Sequence, residues 1–309
     1  MLSSVLRALF LWLSNRRWLG RLAMATPLVR RMPFRFVAGT TLDQAIEAVR
    51  VLNATGAAAT LDVLGESVAD RAAAYRAAAA YVATIERIAA EGLDANVSIK
   101  LTQMGLDLGD DVCLAVMTPV VEAGARHGVF VRIDMESSAY TERTLGIVRR
   151  LREGGHDVGP VIQSYLRRSA ADVDWLAAER VRTRICKGAY AESPEVALQE
   201  REAIGDAFVA LCVRLLEADA YPGVATHDLE MLSRVGAAAR ERGIGQDRFE
   251  YQMLYGIRRD IQGRLLAEGN RLRVYVPYGT EWYPYFMRRL AERPANVLFV
   301  LRSVFGDRG

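Results

Sequence analysis

Arg182-Thr183-Arg184-Ile185-Cys186-Lys187 is a short β-like run that ends on a lysine, flanked by two amphipathic stretches, Ala171–Arg180 and Pro194–Ala218, that read as helices. The same unit recurs along the chain. Apolar runs lie at Ala57–Leu64, Val97–Leu101, Val129–Met135, Val161–Ser164, Thr183–Lys187, Val224–His227, Phe249–Met253 and Leu272–Val276. Between the others sit helical stretches at Ala69–Ala90, Val112–His127, Tyr140–Glu153, Leu229–Arg242 and Ile257–Glu268, and Thr41 with Gln44 forms a candidate capping box for a helix reaching about Leu52. Eight alternating strand and helix units predict a (β/α)8 TIM barrel, an α/β fold. A doubly wound sheet shares the alternation, but no G-x-G-x-x-G follows the first strand and no G-x-x-x-x-G-K-[ST] occurs.

Length and composition fit one large domain or two small ones. The 309 residues are 51% hydrophobic and 25% charged, ample core material without disordered bias. A net charge of +3, spread along the chain, gives no nucleic-acid footprint. Cys113, Cys186 and Cys212 are far apart, which indicates neither a disulfide framework nor a metal site and fits a cytoplasmic compartment. Of forty basic residues only Lys100 and Lys187 are lysines, and both end β-like runs. A compact ammonium and a planar guanidinium are not interchangeable in a tight site, so these two are candidates for chemistry.

Residues 1–37 differ from the rest, and the barrel domain is expected over 38–309. Val5, Leu9, Phe10, Trp12, Leu13, Trp18 and Leu19 alternate with Arg7, Arg16, Arg17 and Arg21. The apolar run is too short to span a bilayer, and arginines between it and Ala23-Met24-Ala25 are in the wrong order for export. Two readings stay open: an amphipathic helical arm lying peripherally on the inner face of the cell membrane, or an arm packed on its own domain.

Strand ends of a barrel gather at one face. Here they carry Glu66, Lys100, Asp134 with Glu136, Gln163, Arg184 with Lys187, Thr226 with His227, Gln252 with Tyr255, and Tyr275 with Tyr278. So many polar groups point to a polar ligand with charges of its own. His127 and His156 fall in helix-to-strand connections at the opposite face. The tail Thr280–Glu292 reads as a helix capped at Thr280, with Tyr285, Arg288 and Glu292 on one face. Paired guanidiniums at Arg288 and Arg289 suit a carboxylate or phosphate.

Taken together, Asp62-Val-Leu-Gly65-Glu66, Ser98-Ile-Lys100-Leu-Thr, Arg132-Ile-Asp134-Met135-Glu136, Arg184-Ile-Cys-Lys187-Gly188-Ala189-Tyr190, Ala225-Thr226-His227, Glu250-Tyr-Gln252-Met-Leu254-Tyr-Gly256 and Tyr285-x-x-Arg288-Arg289-x-x-Glu292 resemble the flavin-dependent proline dehydrogenases of the small monofunctional bacterial type. The resemblance spans nearly the whole chain. It implies a distorted barrel that holds FAD and oxidises L-proline to Δ1-pyrroline-5-carboxylate, the first step of proline degradation to glutamate, with a membrane quinone as electron acceptor. By the same resemblance Lys100, Arg288 and Arg289 bind the substrate carboxylate, and Tyr275, Tyr285 and Leu254 pack on the ring. Glu66 pairs with Arg288, and Glu292 belongs to the substrate site. Asp134 organises the cations, and Arg184 lies beside the reacting edge of the flavin. Met135, Gln163, Arg184, Lys187, Gly188, Ala189, Thr226 and His227 match cofactor contacts. The chain departs from the family pattern at Asp228, where asparagine is expected.

Two rival readings come from other classes. A Schiff-base (β/α)8 lyase would use Lys187 as nucleophile and Arg288 with Arg289 for a phosphate. A membrane-binding module driven by residues 1–37 would bind lipid without redox activity.

Overall fold

The computed structural model describes the backbone of residues 33–65 and 67–292, and the side chains of residues 34–65 and 67–287. Its strands are β1 (Ala58–Val63), β2 (Ala95–Ile99), β3 (Val131–Ile133), β4 (Val158–Gln163), β5 (Arg184–Cys186), β6 (Gly223–Ala225), β7 (Glu250–Leu254) and β8 (Leu272–Tyr278). They pair in parallel in chain order and close β8 onto β1, with Thr60 opposite both Asn96 and Tyr275. The helices are α1 (Leu42–Ala54), α2 (Arg71–Ala90), α3 (Asp110–His127), α4 (Ser138–Glu153), α5 (Ser169–Ala178), α6 (Arg201–Glu217), α7 (Leu229–Glu241), α8 (Arg259–Ala267) and α9 (Trp282–Glu292). The barrel expected from the alternating pattern is the fold observed.

Local chemistry sets the element boundaries. The Thr41/Gln44 capping box starts α1, and the Asp70 carboxylate accepts the Ala73 N–H at 2.7 Å to start α2. Four expectations are corrected. Strand β4 begins at Val158, through Gly159 and Pro160, rather than at Val161. Glycine is needed there because a Cβ at 159 would lie 1.9 Å from the Arg182 carbonyl of the next strand connection. Strand β3 stops at Ile133, before Met135. Helix α6 begins at Arg201, not Pro194, because Ala197 bridges back to Leu166. Helix α9 begins at Trp282, two residues after the expected cap.

Period-two alternation divides the barrel into an apolar outer face and a polar interior. Leu61, Val97, Ile99, Val131, Ile133, Ile185, Val224, Val274 and Val276 are almost fully buried in the main core, with helix residues such as Ile46, Ile85, Met117, Val148 and Phe208. The alternate residues Thr60, Asp62, Asn96, Ser98, Arg132, Arg184, Glu250 and Gln252 are buried too, and Thr60 bonds Asn96 while Ser98, Arg184, Gln252 and Glu250 bond in a line across the barrel. A separate aromatic cluster of Phe36, Val37, Leu64, Trp282, Tyr283, Tyr285, Phe286 and Met287 fixes α9. Because Leu64 directly follows β1, α9 docks at the C-terminal end of the barrel. Of the expected arm, residues 1–32 lie outside the described residues, while Phe34 and Phe36 pack against Trp282 and Phe286 with ring centroids 6.5 and 6.1 Å apart.

Candidate active site

Asp134, one residue beyond β3, is the hub of the barrel mouth. Its Oδ1 accepts from Ser98 Oγ at 2.6 Å and from the Arg184 guanidinium at 2.8 Å. Its Oδ2 accepts from the Tyr275 hydroxyl at 2.8 Å and lies 3.5 Å from Lys100 Nζ. Residues of β2, β5 and β8 thus converge on one carboxylate because inward positions of a closed barrel face one another. Burial by itself would raise the Asp134 carboxyl, but Lys100, Arg184 and the Ser98 and Tyr275 hydrogen bonds outweigh it and hold it below the ordinary aspartate value.

Lys100 is gripped from its other side by Asp62, with both carboxylate oxygens 3.1 Å from Nζ. Burial opposes the charge, yet Asp62 and Asp134 reverse that effect and raise the lysine above its ordinary value. Lys100 is therefore a fixed ammonium, a quarter exposed to the mouth, and not an amine nucleophile. Asp62 is completely buried and is further steadied by the Tyr81 hydroxyl at 3.3 Å. Burial, then Asp134 and Asp62, push the Tyr275 phenol well up, so it stays a hydrogen-bond donor. Its ring also lies against the Arg184 guanidinium, 5.2 Å from centroid to Cζ.

The remaining strand-end residues form a second arc. Gln163 is buried and donates to the Glu136 carbonyl at 2.8 Å, fixing Met135 between the Asp134 hub and that bond. Glu136 accepts from the Thr102 hydroxyl and N–H, and burial raises its carboxyl. Lys187 is half-buried and pairs with Asp228 at 2.6 Å. Gly188 follows at φ +115°, a backbone region favouring glycine, with Ala189 exposed beyond it. Thr226 accepts the Asp228 N–H at 3.2 Å, and His227 Nε2 accepts the Leu254 N–H at 3.0 Å. His227 therefore ties β6 to β7, whatever else it touches.

The expected residues Lys100, Asp134, Met135, Gln163, Arg184 and Tyr275 come together at the mouth, with Lys187, Gly188, Ala189, Thr226, His227 and Leu254 along its β5–β7 side. Tyr285 is buried in the α9 cluster. Glu66 and the side chains of Arg288, Arg289 and Glu292 lie outside what is described. Tyr278 is not a site residue: its hydroxyl pairs with Thr84 of α2 at 2.7 Å, on the outer face of the barrel. Gln252 lies inside the barrel rather than at a strand end. Asp62 and Ser98 carry no site role in the sequence reading, although the period-two placement of Ser98 with Lys100 was the available signal for Ser98.

Lys187, the close-approach turn at Gly188 and the Thr226 hydroxyl make a donor set suited to a diphosphate, and Arg184 adds a buried cation at the mouth. The residues fit such a group, with Asp228 sharing the Lys187 charge.

Residues 45–302 match the family described as Proline dehydrogenase. The chain is 41% identical over 302 residues to proline dehydrogenase 1 of Bacillus subtilis subsp. natto, covering 97% of this chain and 99% of that one. It is 40% identical over 275 residues to proline dehydrogenase of Deinococcus radiodurans, covering 87% and 89%. Among solved structures, proline utilization A of Bdellovibrio bacteriovorus inactivated by N-propargylglycine superposes with a TM-score of 0.81 at 26% identity, over 91% of this chain and 34% of that one. The family match and these relatives show that the chain belongs to the proline dehydrogenase family.

Proposed function

We propose that the protein is a monofunctional FAD-dependent proline dehydrogenase, converting L-proline to Δ1-pyrroline-5-carboxylate and passing electrons to a membrane quinone. The observation that carries this reading is the Asp134 hub, which places Lys100, Arg184 and Tyr275 around one carboxylate at the mouth of a barrel of this family. FAD, when bound, supplies the hydride acceptor. Met135, Gln163, Arg184, Lys187, Gly188, Ala189, Thr226 and His227 are the residues proposed to hold it.

Charge counting defines what the substrate needs. At the mouth two cations, Lys100 and Arg184, face two carboxylates, Asp62 and Asp134, so this cluster has no spare positive charge. An amino-acid carboxylate therefore calls for further cations, and Arg288 and Arg289 on α9 are proposed to supply them beside Lys100. Leu254, Tyr275 and Tyr285 are proposed to pack on the pyrrolidine ring, with Glu66 and Glu292 completing the ion pairs over it. Orienting the ring by its carboxylate is how fixed cations contribute to rate. Arg184, buried and held on two sides, is a preorganised cation for negative charge gained during the reaction.

The lyase reading is not carried further. Lys187 donates to Asp228 as a paired ammonium, and the chain's family is a dehydrogenase one. Peripheral membrane contact through residues 1–37 is part of the proposal, since a quinone resides in the bilayer. Among the described residues no helix is long and apolar enough to cross a membrane. A cytoplasmic location, peripheral on the inner face of the cell membrane, is part of the same proposal.

The direct test of the cofactor is to denature the purified protein and identify any chromophore released. One FAD per chain is expected. A colourless protein that FAD does not reconstitute would contradict the proposal, and turnover with a soluble dye but with no quinone would remove the acceptor assignment.

A further inference from the structure

Arg184 is reached from inside the barrel by a line of side chains to which the roles above assign nothing. Gln252 Oε1 accepts the Arg184 Nε–H at 2.5 Å, and Gln252 Nε2 donates to Glu250 Oε1 at 2.6 Å. Arg273 Nε donates to the same Glu250 oxygen at 2.8 Å, and its other end reaches the Ala59 carbonyl at 2.7 Å. Arg184, Gln252 and Glu250 are all less than a tenth exposed. Hydrogen bonds therefore run unbroken from Asp134 at the mouth to the start of β1, near the opposite end of the barrel.

Chemistry fixes the direction of the amide. An arginine only donates, and Glu250, ionised against Arg273, only accepts. Gln252 can satisfy both only by turning its oxygen to Arg184 and its NH2 to Glu250. The space for that amide is provided by Gly223, which stands in register between Arg184 and Glu250. A Cβ at position 223 would lie 2.4 Å from Gln252 Nε2. A carboxylate at 252 would grip Arg184 as firmly but neutralise part of its charge and compete with Asp134. An amide orients the guanidinium and leaves most of the charge in place.

We infer that Gln252 and Glu250 are positioning residues for Arg184, and that Gly223 opens the room they need: together they aim the guanidinium at the mouth without neutralising it. The inference rests on the proposed role of Arg184 beside the flavin.

The experiment measures the two-electron reduction potential of the bound flavin in holoenzyme, with kcat and proline KM, for Arg184→Gln, Gln252→Met, Glu250→Gln and Gly223→Ala. Gln252→Met is expected to shift the reduction equilibrium tenfold or more toward oxidised flavin, about 30 mV more negative for a two-electron couple. Glu250→Gln and Gly223→Ala are expected to shift it in the same direction, with kcat lowered several-fold and proline KM within twofold of wild type. A merely structural contact would lower thermal stability and leave the potential alone. A potential moved by Arg184→Gln but unmoved by Gln252→Met and Gly223→Ala would overturn the positioning inference alone. A potential unmoved even by Arg184→Gln would overturn the role of Arg184, and the inference with it. Should Gln252→Met fail to fold, Gly223→Ala leaves every donor and acceptor of the line in the sequence and decides between these outcomes.

Discussion

The barrel interior holds two carboxylate–cation clusters of opposite character. At the floor, Glu250 is paired with Arg273 at 2.8 Å and touched by Gln252, with the two side chains only 6% and 14% exposed, and Arg273 also lies 3.7 Å from Asp94. At the mouth, Asp134 takes four donors or cations, yet Lys100 remains a quarter exposed. A pair whose donors and acceptors are taken up by protein partners contributes specificity of structure, while a cluster open to the mouth can exchange partners with a ligand. The floor should therefore dominate stability and reach the chemistry only through Gln252 and Arg184, while the mouth acts on the chemistry directly.

The largest expected effect is at the floor. Glu250→Ala leaves the largely buried Arg273 with only the exposed Asp94, 3.7 Å away, and should cost about 3–5 kcal/mol of folding stability, the usual penalty for breaking a buried pair. Chemical denaturation would check it, and a loss under 1 kcal/mol would erase the contrast. Next, Arg288→Met or Arg289→Met should weaken proline binding by roughly 2–5 kcal/mol while leaving the floor's stability intact. Equilibrium binding of proline measures this, and unchanged affinity in both variants would remove the carboxylate assignment.

Asp134→Asn should lower kcat about 100-fold, or about 2.7 kcal/mol, because the amide no longer orients Arg184 and Lys100 together. Steady-state kinetics with an artificial acceptor would read it, and a loss carried entirely by KM would reassign Asp134 to binding. Acid titration sharpens the comparison further. Burial raises the Glu250 carboxyl, but Arg273, Gln252 and Arg132 outweigh it and hold it below the ordinary value. The unfolded chain thus takes up the proton first, near pH 4.3, and Glu250's contribution is present above that and lost as pH falls toward the folded value. Wild type and Glu250→Gln should differ most in stability near neutrality and converge below about pH 4. The smallest effect is expected at Tyr275→Ser, which should shift the preference for proline over hydroxyproline by about tenfold or less. An equal wild-type preference for the two would show that the phenol does not crowd an added hydroxyl.

Much of this architecture was legible because the barrel repeats one pattern. Most β-like runs announced themselves by β-branched residues, Phe249–Met253 by its aromatics instead, and each amphipathic stretch by its period. The strand β4 start was hidden by Gly159-Pro160, which reads as a break, although close approach to Arg182 is what requires the glycine. The mouth was legible where a charged residue ended an apolar run, as at Lys100, Asp134 and Lys187. Asp62 was harder, since its importance lies in a partner 38 residues away, and Tyr81 is one aromatic in an alanine-rich helix. The departure at Asp228 has a structural account, because it starts α7 by accepting the Glu230 N–H and pairs with Lys187. The floor cluster was invisible: nothing in the spacing of Glu250, Gln252 and Arg273 says that they face one another until the sheet closes.

The measurement that tests the central claim most directly is the absorbance of the purified holoenzyme before and after anaerobic addition of L-proline. The account predicts flavin bands that bleach with proline and return when a quinone is added. Flavin bands that persist through saturating proline would contradict it.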